Sequence, residues 1–307
     1  MATMAELAEQ VDRLTPDHLS IIVRTLAASP PAGTADHDFI TYGLATEALR
    51  FFFGNQWTNE NVFSIHKDTP AHHRQGRLFL RTDSTEQNDQ FRHMQRVTNL
   101  AEITFNLQGV DGLKQRISLM DKHDLESALG EMECAALLSH PKLIFRFVTP
   151  TGSKGLDYEA EVMTSANRIV CCEIKAKSEQ TSADAQTLWS TLEKARKQLP
   201  KSQPGLVLVR IPEEWVKQQD IQTIVSDAVV KVFRQSHRVV AVVLMWEEWT
   251  QTFDGWNLVV SRFKDYRNNK SRLYQSDIDD LLTVLGRASN PSWLSFHAFV
   301  ERMRRTT

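Results

Sequence analysis

Asp157, Glu173 and Lys175 lie in two stretches of alternating polar and apolar residues, 156–163 and 168–177. Carboxylates that converge are suited to a hard cation such as Mg²⁺, which takes oxygen ligands from one or two carboxylates together with substrate phosphate. The bound metal lowers the pKa of a water molecule, and a neighbouring lysine can orient that water or stabilise transition-state charge. These residue types therefore indicate hydrolysis of a phosphodiester bond.

The two stretches bring these residues together only if they form a β-hairpin. Their connection, residues 164–167, is short enough for one. A turn centred on this connection is expected to place Asp157 directly opposite Glu173, with Lys175 and Lys177 on the same face. Facing carboxylates repel each other, and a bound cation would relieve that repulsion. The alternative is an ordinary solvated hairpin face.

The elements around the hairpin follow the order helix, three strands, helix, strand. The predicted helices cover 124–139 and 183–199, and the predicted strands cover 143–148, 156–163, 168–177 and 205–211. The last strand contains an unbroken Leu-Val-Leu-Val run, which is typical of a strand that is buried on both faces.

The rest of the chain divides into a helical N-terminal part and a mixed C-terminal part. Helices are predicted over 4–14, 15–28, 38–53 and 85–107, then over 221–235, 277–286 and 293–305, with further strands over 238–247 and 256–263. The sequence therefore predicts an α/β fold. We expect a helical N-terminal region over 1–120 and a domain over 121–307 that ends in an α/β extension.

The segments 154–159 (KGLDYE) and 172–175 (CEIK) resemble the motif of the PD-(D/E)xK nuclease superfamily, also called restriction-endonuclease-like. That family has a core of helix, three strands, helix and strand, and here the resemblance covers about residues 124–211. It implies a mixed sheet flanked by helices, with Asp157 and Glu173 as metal ligands and Lys175 as the catalytic lysine. Leu156 stands where many members have proline.

Many members of this family add a glutamate from the first core helix. The candidates here are Glu126, Glu131 and Glu133. On a helical projection Glu133 lies at the edge of the apolar stripe, whereas Glu131 points away from it. Glu133 is therefore the expected outer metal ligand, and an ordinary surface glutamate is the alternative.

Substrate contacts are expected from polar and basic residues near this motif. Gln186 lies where such nucleases often have a polar active-site residue, and Lys177 extends the face of Lys175. Lys154 belongs to the loop before Asp157 and is expected to contact phosphate. A solvated helix face is the alternative for Gln186 and the basic residues that follow it.

Composition limits the class of protein and its surroundings. A formal net charge of -2 excludes a strongly basic chain, so any surface for nucleic acid must be local. Cys134, Cys171 and Cys172 make a poor disulfide framework and are expected to be reduced thiols. The absence of a signal-type or membrane-spanning apolar run predicts a cytoplasmic protein without a membrane partner.

The sequence thus predicts a Mg²⁺-dependent nuclease, with Mn²⁺ as a substitute metal and endonucleolytic cleavage of DNA as the expected reaction. Two alternatives stay open. One is a non-catalytic module that binds nucleic acid or protein on the same fold, and the other is a structural α/β protein. The helical N-terminal region is expected to bind substrate or a protein partner, or to form a homo-oligomer.

Overall fold

The computed structural model describes residues 4–28, 37–63, 80, 87–120, 125–149, 157–179, 181–251, 257–271, 273, 275–286 and 290–306. The chain forms two compact units. The helical unit comprises Met1–Gly109, Ile117–Leu125 and Trp293–Thr307, and the sheet unit comprises Val110–Arg116 and Glu126–Ser292. Residues 293–307 thus group with the N-terminal helices, whereas the sequence predicted one boundary at residue 120.

The predicted helices and strands occur in the predicted order among the described residues, with short helical segments added at 55–63, 113–120 and 213–216. Up to the first strand they are α1 (Met4–Gln10), α2 (Pro16–Ala28), α3 (His37–Phe53), α4 (Asn55–Thr58), a π-helical turn (Asn59–Phe63), α5 (Gln87–Leu107), α6 (Leu113–Met120) and α7 (Leu125–Ala136). They continue as β1 (Ile144–Phe147), β2 (Ala160–Met163), β3 (Ile169–Ala176), α8 (Ala185–Gln198), β4 (Gly205–Arg210), α9 (Glu213–Val216), α10 (Ile221–Gln235), β5 (Val239–Gln251), β6 (Asn257–Arg267), α11 (Gln275–Thr283) and α12 (Phe296–Thr306).

The helical unit is closed by hydrogen bonds between α5 and the start of the C-terminal segment. The carboxylate of Glu102 accepts from Trp293 Nε1 at 2.7 Å and from the amide of Phe296 at 2.9 Å. Asn106, one turn further along α5, binds both the carbonyl and the amide of Leu294. These contacts explain why α12 belongs to this unit although it is distant in sequence.

Among the described residues, no helix combines the length and the apolar composition that a membrane span requires.

The sheet unit contains a six-stranded mixed sheet whose strands lie in chain order, from β1 to β6. Strands β1, β2 and β3 pair antiparallel, β3, β4 and β5 pair parallel, and β5 and β6 pair antiparallel. Parallel neighbours need a crossover, and α8 and α10 supply those between β3 and β4 and between β4 and β5. The α/β class and the helical N-terminal region predicted from the sequence are therefore confirmed.

The core of the sheet unit lies between α8, α10 and the central strands. All residues of β4 are buried, as its continuous apolar run predicts. Val207 and Val209 pack in one cluster with Leu188 and Leu192 of α8 and Val229 of α10. The three cysteines are buried and unbridged, which agrees with their predicted state as free thiols.

Candidate functional site

Strands β2 and β3 separate at the point where the acidic and basic residues of β3 begin. The pairing of β2 with β3 ends at Ala160 and Cys172, whereas β3 continues beside β4 as far as Ala176. Glu173 and Lys175 lie in this continuation. The edge of β3 beside these two residues is therefore not paired with β2, and side chains from other elements can approach it.

The predicted pairing of Asp157 with Glu173 is wrong, because β2 pairs with β3 in a register that joins Ala160 to Cys172 and so brings Glu159 towards Glu173. The chain also bends at Glu159, before it enters β2. The amide of Glu159 donates to the carbonyl of Cys172 at 3.1 Å. Tyr158 packs in the α8 and α10 cluster. The carbonyl of Asp157 accepts from Gln198 Nε2 at 3.4 Å, at the end of α8. Glu159, and not Asp157, is the acidic residue next to Glu173.

Glu173 is a fully buried carboxylate beside a lysine. Lys175 Nζ lies 2.5 Å from Glu173 Oε1, and the Glu173 side chain has 0% exposure. Neither carboxylate oxygen of Glu173 has a hydrogen bond of regular geometry among the described residues. Burial raises the pKa of Glu173 to about 8, Lys175 opposes that rise, and Glu159 and Glu131 add to it. A carboxylate in these surroundings needs positive charge or a proton to compensate it.

Glu131 on α7 is the second perturbed carboxylate of the site. Burial raises its pKa to about 7, with Arg116 opposing the rise and Glu159 adding to it. Arg116 contacts both carboxylates: its Nη1 lies 2.5 Å from Glu159 Oε2, and its Nη2 contacts Glu131 Oε2. We call Glu131, Glu159 and Glu173, with Arg116 and Lys175, the acidic cluster.

Arg116 reaches the acidic cluster because the start of α6 is fixed against β1. The amide of Phe147 donates to the carbonyl of Asp111 at 2.9 Å. Gly112 follows with φ 83°, and a Cβ atom there would lie 2.7 Å from the carbonyl oxygen of Phe147. Helix α6 then begins at Leu113 and carries Arg116 on its first turn. Sequence reasoning assigned no element to residues 110–120, and the Asp-Gly pair before Leu113 was the available signal.

Glu133 lies outside the acidic cluster, in a different environment. It is 2% exposed, and its Oε2 lies 3.1 Å from Nε of Arg210, which is also buried. Gly130 allows this approach, because a Cβ atom there would lie 2.7 Å from Cδ of Arg210. On the same helix, the charge of Lys175 acts on Glu131, where it opposes the rise in pKa. Glu133, the predicted outer metal ligand, thus forms an ion pair with Arg210, and its role in metal binding stays a prediction.

The predicted substrate residues lie in different places. Lys177 follows β3 and is half-buried, and its pKa is lowered by burial and by the charges of Lys194 and Lys175. Gln186 is exposed in the first turn of α8. Gln198 lies twelve residues further on, about 18 Å along the helix axis. Since Gln198 contacts Asp157, the structure does not bring Gln186 and Asp157 together. Lys154 lies outside the described residues.

The donor atoms of the acidic cluster suit a hard divalent cation. Within the described ranges, no group of three His, Cys, Asp or Glu side chains has the arrangement of a metal site. Mg²⁺ usually needs only one or two carboxylates, with water and substrate phosphate completing its shell. The buried oxygens of Glu173, which lack regular hydrogen bonds among the described residues, fit that requirement. Glu159 and Glu131 are the carboxylates whose negative charges raise the pKa of Glu173 further.

No family model matches this chain, and no curated protein or solved structure gives a significant match to it.

Proposed function

We propose that the protein is a metal-dependent nuclease that hydrolyses phosphodiester bonds in DNA. The observation that carries this proposal is the buried Glu173 with Lys175 at 2.5 Å, at the place where β2 and β3 separate. Perturbed carboxylates concentrate at functional sites, because their desolvation is otherwise an unrelieved cost. A site with two raised carboxylate pKa values and an adjacent lysine matches the chemistry of phosphodiester hydrolysis.

The order of the elements supports the same proposal. Helix α7, strands β1 to β3, helix α8 and strand β4 follow the order helix, three strands, helix, strand. This is the order that the resemblance to the PD-(D/E)xK superfamily implies. Glu173 and Lys175 occupy the Glu-x-Lys positions on the third of these strands. We therefore propose the restriction-endonuclease-like fold for this part of the sheet unit.

The residues of the acidic cluster take separate roles in the proposed reaction. Mg²⁺ or Mn²⁺, when bound, supplies an activated water and neutralises phosphate charge. Glu173 and Glu159 would hold the cation. Lys175 would donate a hydrogen bond to a non-bridging phosphate oxygen as negative charge develops there. Lys177 would bind a neighbouring phosphate with its ammonium group.

The direct test is cleavage of labelled DNA by the full chain in the presence of Mg²⁺ or Mn²⁺. Lys175→Ala should lower the rate by at least about a hundredfold, since it removes transition-state stabilisation. Lys142→Ala, at an exposed position before β1, is the matched control and should leave the rate unchanged. Cleavage that survives Lys175→Ala would reject the assigned site, and the absence of cleavage by folded wild type on DNA would reject the proposed activity.

The choice between Glu159 and Asp157 as the metal ligand has its own test. Mn²⁺ should raise the melting temperature of the wild type by a few degrees, because a ligand that binds only the folded state stabilises it. Glu159→Gln should abolish that rise, whereas Asp157→Asn should retain it. The reverse result would favour the pairing that the sequence predicted.

A second candidate function is a non-catalytic module on the same fold. The observation that favours it is the internal charge balance, in which Arg116 and Lys175 already neutralise carboxylates of the acidic cluster. Such a network needs no metal in order to persist. The module predicts DNA or protein binding that Mn²⁺ does not affect, together with the absence of any metal-induced rise in melting temperature.

A further inference from the structure

Arg116 joins two carboxylates that come from separate elements of the sheet unit. Glu131 lies on α7, and Glu159 lies at the bend before β2. The guanidinium contacts one oxygen of each, and the Arg116 side chain is only 14% exposed. This arrangement uses the planar fork of arginine, whose two Nη groups each contact a carboxylate of a different element.

When its three glutamates are all ionised, the acidic cluster contains one more negative than positive charge. Three glutamates face one guanidinium and one ammonium group, and Glu173 keeps two buried oxygens without a regular hydrogen bond among the described residues. Oxygen Oε2 of Glu159 already accepts from Arg116 Nη1 at 2.5 Å. A divalent cation that binds Glu159 therefore meets the positive charge of the guanidinium, and the two cations compete electrostatically for this carboxylate.

We propose that Arg116 is the resident counter-ion of the acidic cluster and that a divalent cation must displace it from Glu159. This inference rests on the proposed metal-dependent function. Before metal binds, Arg116 holds Glu131 and Glu159 in place and lowers their mutual repulsion. When metal binds, the contact with Glu159 is exchanged for the cation. Arg116 thus sets the metal concentration at which the site fills.

The contact between Arg146 and Glu161 provides a matched control within the same unit. Arg146 also contacts a glutamate of the β2 region, with Nη2 at 2.5 Å from Glu161 Oε2. Its side chain is 58% exposed, and it contacts only that one carboxylate among the described ion pairs. Arg146→Gln changes the net charge by the same amount as Arg116→Gln, so a comparison of the two variants separates local exchange from a general charge effect.

The experiment measures the dissociation constant of Mn²⁺ by calorimetry for the full chain. Arg116→Gln should bind Mn²⁺ at least about tenfold more tightly than the wild type, because a unit positive charge leaves the site. Arg116→Lys, which keeps the charge but replaces the planar fork with a single ammonium group on a shorter side chain, should lie between the two and guards against a variant that fails to fold. Arg146→Gln should bind Mn²⁺ as the wild type does.

The rise in melting temperature that Mn²⁺ causes supplies a second readout, which a purely structural role of Arg116 would not change. Without metal, Arg116→Gln should melt below the wild type, and saturating Mn²⁺ should raise its melting temperature by more than that of the wild type. Equal Mn²⁺ affinity in wild type and both Arg116 variants would overturn the counter-ion role while leaving the metal site intact. Absence of Mn²⁺ binding in every folded variant would overturn both this inference and the proposed function.

Discussion

The burial of Glu173 makes the free energy of unfolding depend on pH, because the pKa of this residue in the folded chain is raised to about 8 from an ordinary value of 4.5. The folded state therefore keeps a proton that the unfolded chain releases at lower pH. A group of this kind contributes stability that is present below the unfolded pKa and is lost as the pH rises through the folded pKa. The metal-free protein should lose stability from this group between about pH 5 and about pH 8.

Glu173→Gln tests this linkage, since the amide is neutral at every pH in that window. In urea denaturation without divalent cations, the variant should lose less stability than the wild type between about pH 5 and about pH 8, a difference of a few kcal/mol at most. Glu131, whose pKa is raised to about 7, still contributes to the slope of the variant. Glu214→Gln, at a side chain that is 73% exposed, is the control and should leave the slope unchanged. A wild-type slope in Glu173→Gln would show that another group causes the pH dependence.

Glu133 and Arg210 form a buried ion pair whose two members depend on each other. Arg210→Met alone should lower the free energy of unfolding by about 3 kcal/mol or more, because a buried carboxylate loses its partner. The double variant Glu133→Leu, Arg210→Met should recover most of that loss, since both charges are removed. Urea denaturation measures both values, and a double variant as unstable as the single one would contradict a paired role.

The same double variant also tests the predicted metal role of Glu133. If the residue only pairs with Arg210, the double variant should keep the Mn²⁺-induced rise in melting temperature. Loss of that rise in a folded double variant would restore Glu133 as an outer ligand. The contrast with Glu131 is one of direction on a single helix, where two positions differ by about 200°.

At the scale of elements, the site depends on where strands stop pairing. Strand β3 extends beyond its pairing with β2 and stays paired with β4. Glu173 and Lys175 therefore lie in a part of β3 that has a partner strand on one side only. The approach of α6 to β1 then supplies Arg116 from a segment that lies more than forty residues before Glu159. The position of α6 depends on Gly112, whose φ of 83° disfavours any residue with a Cβ atom.

Gly112→Ala should destabilise the sheet unit through two separate effects. The positive φ costs about 1 kcal/mol for a residue with a side chain, and the Cβ atom would also meet the carbonyl oxygen of Phe147 at 2.7 Å. Gly54→Ala is the matched control, because Gly54 also has a positive φ of 87° but has nothing within 4 Å of the added Cβ. In urea denaturation Gly112→Ala should cost clearly more than Gly54→Ala, and equal costs would contradict the close contact.

At the scale of the whole molecule, the charge balance sets how DNA can bind. The net charge of -2 provides no general attraction for a polyanion, so affinity must come from local groups such as Lys177, with Lys194 and Lys175 as neighbours. Each lysine that contacts a phosphate adds close to one unit to the dependence of log affinity on log salt.

Lys177→Ala should therefore lower the salt slope of DNA binding by about 1 and weaken binding to all sequences alike. Fluorescence anisotropy over a series of salt concentrations measures this slope, in the presence of Ca²⁺ to prevent cleavage. Lys142→Ala, which removes an exposed lysine elsewhere in the sheet unit, should leave the slope as it is. An unchanged slope in Lys177→Ala would remove this lysine from the proposed DNA contact.

Local patterns determined most of the elements and their order, with α6 as an exception. The predicted helix over 221–235 has the bounds of α10, and the apolar run at 205–211 gave the buried strand β4. Such patterns succeed because hydrophobic periodicity and helix breakers act over a few residues. Glu173 and Lys175 lie together as the alternation of side chains along one strand predicts.

Only the tertiary structure decided which carboxylates join that pair. The register of β2 on β3, with the bend at Glu159, brings Glu159 instead of Asp157 next to Glu173. Glu133 is buried against Arg210, and the carboxylate of α7 on which the charge of Lys175 acts is that of Glu131. Arg116 reaches the site because Asp111, just before α6, accepts a hydrogen bond from Phe147 of β1, a residue distant in sequence. The physical reason is that pairing beyond a bend, and the partner of a buried charge, depend on groups distant in sequence, whose free energies appear only once the chain has packed.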